Sequence, residues 1–201
     1  MKIETIEQLR SLYSAPGQRA RLKNIGRIDE HIGKFISLSP LVVVSSGNDQ
    51  SQLDASPRGG KPGFVKMVDS HTLLIPDAIG NNRLDTLENI LSTSQVGLLF
   101  FIPGVDEMVR VNGRAHLSND GDALKYFSKL ERQPKLVIHV EVEDAYLHCA
   151  KALMRSKLWH LESQIDRSSL PTMGEILKVH TNDDGHMESQ EEMLQRYSSQ
   201  I

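Results

Sequence analysis

The stretch "MVRVNGRAHL", residues 108–117, decides how this chain folds. Val109, Val111, Gly113, Ala115 and Leu117 alternate with Met108, Arg110, Asn112, Arg114 and His116. Successive side chains of a strand point to opposite faces, so one face here is small and apolar and the other polar and cationic. "KLVIHVEVE", residues 135–143, repeats the pattern: Leu136, Ile138, Val140 and Val142 against Val137, His139, Glu141 and Glu143. Both stretches read as half-buried walls. Working outward, "LVVVSS", "GFVKMV", "HTLLIP" and "VGLLFFI" add strands separated by Gly, Pro, Asn and Asp. Roughly six closely spaced strands, mostly without long helices between them, predict an antiparallel barrel or sandwich in a mainly β, α+β fold.

Helical spacing marks the remainder. Ile6, Leu9, Leu12 and Tyr13 form one stripe, stopped by Pro16-Gly17, and a second helical piece spans Asp29 to Ser37 before Pro40. Further helices are expected at Asp85 to Ser92, about Asp120 to Leu130 and Asp144 to about Trp159. "TMGEILKVH" reads as a short helix with Pro171 near its start. The acidic "TNDDGHMESQEEMLQRYSSQI" reads as a tail, a packed arm or a partner-binding segment. This divides the chain into a helical extension over 1–40, a barrel over 41–160, and a C-terminal helical, acidic extension over 161–201 that is packed on the barrel or flexible.

A net charge of -3 over 201 residues offers no general basic field for nucleic acid. No apolar run reaches the length of a membrane span, and "MKIETIEQLRSLY" is too charged for a secretory signal. A cytoplasmic protein is expected, with no nucleic-acid or membrane partner. The single cysteine, Cys149, excludes an internal disulfide and a multi-cysteine zinc site, and its neighbours suggest a small buried residue. The His residues show no ligand spacing, so no metal is expected.

Three cationic groups ask for an anion. In "PDAIGNNRLDTLENIL", Gly80, Asn81 and Asn82 precede a helix whose unpaired N–H groups form a natural anion site, and Arg83 adds a donor. A capped helix with Arg83 paired to Asp85 or Glu88 accounts for the same residues. In "DASPRGGKPGFV", Ser56, Pro57, Arg58 and Lys61 share a glycine-rich loop between strands, suited to a ligand or to solvated charge. In "HCAKALMRSKLWH", Lys151 and Arg155 lie i,i+4 on one helix face, with His148 and Trp159 on nearly the same stripe and no acid nearby. That stripe suits a phosphate, a partner or the helix dipole.

Together, "DASPRGGKPGFV", "LLIPDAIGNNRLDTLENIL", "VGLLFFIPGVDEMVRVNGRA" and "HCAKALMRSKLW" resemble the pyridoxamine 5'-phosphate oxidase-related, FMN-binding split-barrel proteins, in particular the branch with an SPRG loop and an HCAKAL-R-S-LW helix. The resemblance covers about Arg27 to Trp159. It implies a six-stranded split β-barrel flanked by helices, working as a homodimer with FMN at the subunit interface. It implies that Asn81, Asn82 and Arg83 hold the phosphate and that Ser56, Pro57 and Arg58 line the flavin or its ribityl chain. The backbone of Leu74, Ile75 and Pro76 would follow the isoalloxazine edge, and Arg110 would approach from the second subunit. Lys151, Arg155, Ser156 and Trp159 would reach the phosphate or the substrate mouth. The chain departs from that branch at Ala78 and Asn82, where arginines are usual, and Met108 stands where pyridoxamine phosphate oxidase itself carries Gln. The implied activity is an FMN-dependent oxidoreductase that uses NADH or NADPH on a small-molecule substrate other than pyridoxamine phosphate. A flavin-binding carrier or sensor without turnover, or a barrel using haem or a deazaflavin, fits the same residues.

Overall fold

The computed structural model describes residues 2–77, 80–182 and 185–198. The alternation in "MVRVNGRAHL" is realised. In strand Met108–Ser118, Val109, Val111, Gly113 and Ala115 are buried, while Arg110, Arg114 and His116 are exposed. Seven strands form one antiparallel sheet: β1 (Leu41–Gly47), β2 (Leu53–Gly59), β3 (Lys66–Asp69), β4 (Thr72–Pro76), β5 (Gln95–Phe101), β6 (Met108–Ser118) and β7 (Val137–His148). Their order is β2-β1-β5-β6-β7-β4-β3. The strand beyond the six expected is β2. It contains Ser56, Pro57 and Arg58, which the sequence places in a loop. Pro57 donates no ladder hydrogen bond, but β2 is an edge strand paired only with β1, where proline is tolerated.

The inner face of the sheet is lined by Val42, Val44, Leu73, Ile75, Leu98, Phe100, Val109, Val111, Ile138 and Val140, each no more than 1% exposed. Helix α3 (Glu30–Leu38), after α1 (Ile6–Ser11) and α2 (Gln18–Leu22), adds Ile32 and Ile36 to this core. Helix α4 (Asp85–Thr93) adds Leu87 and Ile90.

A bulge breaks the β6–β7 register. Asn112 faces Asp144 but Gly113 faces Val142, which leaves Glu143 as the extra residue. The buried phase of β7 therefore moves from Val142 to Ala145. Gly113 sits at the pinch, where a Cβ would lie 2.0 Å from the Glu141 carbonyl oxygen. The bulge also corrects the helix expected from Asp144. Beyond it the chain resumes pairing, Asp144 to His148 against Asn112 to Met108, and Ile25 bridges to Ala145 from the other side. Only α6 (Lys151–Ser156) is helical there. The helix expected over Asp120 to Leu130 is likewise reduced to α5 (Gly121–Lys125), followed by turns in which Phe127 packs on Leu74 and Val137. Cys149 is exposed rather than buried, because it follows the end of β7.

Two compact units are distinguished, Met1–Arg155 and Ser156–Ile201. The second holds α7 (Met173–Thr181), opened by a Thr172–Glu175 capping box, and α8 (Gln190–Ser198), where Arg196 forks onto Glu188 at 2.8 and 2.7 Å. Neither helix contains a buried residue. Among the described residues no helix is long and apolar enough to cross a membrane.

Candidate ligand-binding site

Register determines what β2 presents. Asp54, Ser56 and Arg58 stand opposite Ser46, Val44 and Val42, and the two valines are fully buried. The three polar residues therefore lie on the core-side face of an edge strand, while Ala55 and Pro57 point outward. Polar groups at the mouth of a core need partners. Asp54 accepts the Thr86 hydroxyl from the first turn of α4. Arg58 Nη1 donates to Asp77 Oδ1 at 2.8 Å, with the two side chains only 18% and 19% exposed. Ser56 lies between these anchors. The segment from Asp77 to Thr86 is thus tied at both ends to the inner face of β2.

Within that segment Asn81 Oδ1 accepts the Arg83 N–H at 3.0 Å, and Asn82 takes a left-handed conformation with φ of 59°. This is the local flexibility the Gly-Asn-Asn run predicts. Arg83 Nε donates to Asp85 Oδ2 at 2.5 Å, and the guanidinium is 76% exposed. Its hydrogen bond to Asp85 and the attraction of that carboxylate hold its proton more firmly than usual. Ala78, the first departure from the family pattern, lies outside the described residues.

One observation points to a missing acceptor. Arg58 Nε is buried and has no hydrogen-bond partner. The Asp77 that holds Arg58 follows β4, where β3 begins opposite Leu74, so that Ile75 and Pro76 pair only with β7, although both are buried. The Leu74 and Ile75 side chains are committed to packing, Leu74 with Phe127 and Ile75 in the main core. A buried arginine with one unpartnered donor, together with serine and amide groups, fits a polar heterocyclic ligand such as a flavin.

The structure ties the strand that carries Ser56 and Arg58 to both ends of the segment that carries Asn81, Asn82 and Arg83, through Asp77 and Thr86. Pro57 is on that strand but faces outward. Arg110 lies on the opposite face of the sheet. It donates through Nε to Asn112 Oδ1 at 3.3 Å and sits 5.9 Å from the Tyr146 ring centroid. With Ser45, Gly97, Asn112 and Arg114 it lines a cleft of about 700 Å³. Lys151 and Arg155 are exposed on α6, on either side of the buried Leu153, while Ser156 and Trp159 fall in the C-terminal unit. The helical stripe from His148 to Trp159 is absent, because His148 closes β7 and Trp159 follows α6 in a turn. Sequence reading missed Asp54, Thr86 and Asp77. Alternation with Ser56 signals Asp54, but nothing local signals Asp77. Among the described residues no cluster of three or more His, Cys, Asp or Glu is arranged to hold a metal ion.

A sequence profile of the pyridoxamine 5'-phosphate oxidase family matches residues 28–149, more than half of the chain. The chain belongs to this family. The matched span runs from the start of α3 through β7 and contains both anchors of the Asp77–Thr86 segment. Among solved structures, HupZ of Group A Streptococcus is similar at 18% identity over 60% of this chain and 93% of its own, with a TM-score of 0.50. A Lactobacillus delbrueckii protein provisionally named a pyridoxamine 5'-phosphate oxidase gives 19% identity, 62% and 99% coverage and a TM-score of 0.49. An FMN-binding protein of Syntrophomonas wolfei gives 10%, 57%, 78% and 0.42. No similar chain is found among curated proteins. The fold is the split-barrel arrangement of this family, built here on a seven-stranded sheet that is not closed by hydrogen bonds.

Proposed function

We propose that the protein is an FMN-binding flavoprotein, and that it acts as an FMN-dependent oxidoreductase on a small-molecule substrate with NADH or NADPH as electron donor. The observation that carries this reading is the buried, unpartnered Nε of Arg58, held by Asp77 at the end of β4. Family membership supports it. In this reading Ser56 and Arg58 line the flavin and the backbone at Ile75 and Pro76 lies along its ring. The N–H groups around Asn81, Asn82 and Arg83, at the start of α4, hold the phosphate. Bound FMN supplies hydride chemistry; the chain supplies orientation and charge. Arg58, fixed in place before a ligand arrives, would give the ring a directed hydrogen bond. The protein works as a homodimer. Arg110, turned to the opposite face, serves the partner's cofactor, and Lys151 and Arg155 border the phosphate or substrate mouth.

The test is the absorption spectrum of purified protein, followed by denaturation and identification of the released chromophore. Flavin bands with released FMN near one per chain support the reading. Colourless protein that also fails to take up added FMN overturns it. NADPH oxidation with quinone or nitro acceptors, compared with free FMN, separates an enzyme from a flavin carrier.

A further inference from the structure

We propose that Asp77 is the positioning residue of this site: it neutralises Arg58 and aims its buried Nε–H at the ligand. The inference rests on the flavin reading above. The two residues are far apart in the sheet order, Arg58 on edge strand β2 and Asp77 just after β4, the strand next to the other edge. They meet through a single hydrogen bond, Nη1 to Oδ1 at 2.8 Å. A guanidinium is planar and rigid, so fixing Nη1 also fixes the direction of Nε–H. That donor is enclosed and unpaired, so the ion pair with Asp77 leaves one hydrogen bond of the guanidinium still to be made. The pairing also sets the charge that a ligand meets. With Asp77 at Nη1 the pair is close to neutral, so Arg58 offers a directed hydrogen bond in place of a bare cation. Such a donor suits an uncharged carbonyl or ring nitrogen better than a phosphate. The ring end of a flavin therefore belongs at Arg58, and its phosphate end belongs to the Asn81–Arg83 segment at the other anchor.

The experiment compares Asp77→Asn with the full-length wild type by titrating oxidised and reduced FMN onto each. Loss of the counter-charge leaves Arg58 cationic, so the ratio of reduced to oxidised affinity should rise on the order of tenfold. An unchanged ratio with a lowered melting temperature makes Asp77 a latch alone and overturns the inference while the flavin reading stands. Should Asp77→Asn fail to fold, Arg58→Lys keeps a charge pair but discards Nε–H. A loss of about tenfold or more in FMN affinity then supports the proposal, and wild-type affinity overturns it. Wild-type protein that binds no FMN removes the flavin reading, and this inference with it.

Discussion

Arg58 and Arg83 serve one predicted site, yet the fold holds them in opposite ways. Arg58 is fixed on the inner face of β2 by a residue from near the other sheet edge, is 18% exposed and keeps one donor unpaired. Arg83 is 76% exposed and tied to its near neighbour Asp85. The first is positioned by tertiary structure and is ready before a ligand arrives. The second sits in solvent, where a local carboxylate is an easily exchanged partner. The number of cations near a segment therefore says little about which of them organises a site; enclosure decides.

Arg58→Ala is the strongest way to break this contrast. It strips Asp77 of its partner, and with a fifth of each side chain still wet the loss of stability should be about 2–3 kcal/mol. FMN affinity should fall by about 1.5–3 kcal/mol as well, because a charge-assisted contact is lost. Denaturant unfolding and flavin titration read the two effects, and an unaltered dissociation constant removes Arg58 from the site. Next, Gly113→Ala probes the wall that supports both regions. Its Cβ meets the Glu141 carbonyl oxygen, so overpacking should cost about 1–3 kcal/mol. A melting temperature at or above that of wild type would contradict the bulge geometry.

His139 occupies the middle ground between buried and solvated. Its ring stacks on His116 at a centroid distance of 4.4 Å, and Nδ1 is buried without a partner. Burial, then repulsion from His116, lowers its pKa below the ordinary 6.5. A lowered histidine pKa means that the unfolded chain takes up the proton first. This contribution to stability is intact above about pH 6.5 and is lost as pH falls from there through the native value. His139→Gln should flatten the stability profile over that window, and a profile as steep as wild type would assign the pH dependence elsewhere. The smallest effect is expected for Arg83→Ala: a loss of FMN affinity of a few-fold, smaller than that of Arg58→Ala and further reduced by salt. If the two variants rank the other way, the exposed cation organises the site and the comparison fails.

Much of the wall was legible in advance. Period-two alternation is a local property, so Val109, Val111 and Ala115 announce a core face before any partner strand is known. The start of α4 and the turn chemistry of Asn81 and Asn82 are local for the same reason. The strand β2 was not legible, since a proline and adjacent glycines outweigh a weak alternation unless one knows that the strand is an edge. Nor was the length of β7, because a bulge at Glu143 breaks the very alternation that identifies strands.

The sequence by itself determined a mainly β barrel, the family-like motifs and the set of candidate donors, because these depend on residue type and short spacing. Only the tertiary structure decided which donors matter. Arg58 and Asp77 are 19 positions apart, one on edge strand β2 and the other just after β4 near the opposite edge, and they meet because the sheet curls. No local pattern encodes that closure. It follows from the twist of the whole sheet packing its apolar inner face around one core.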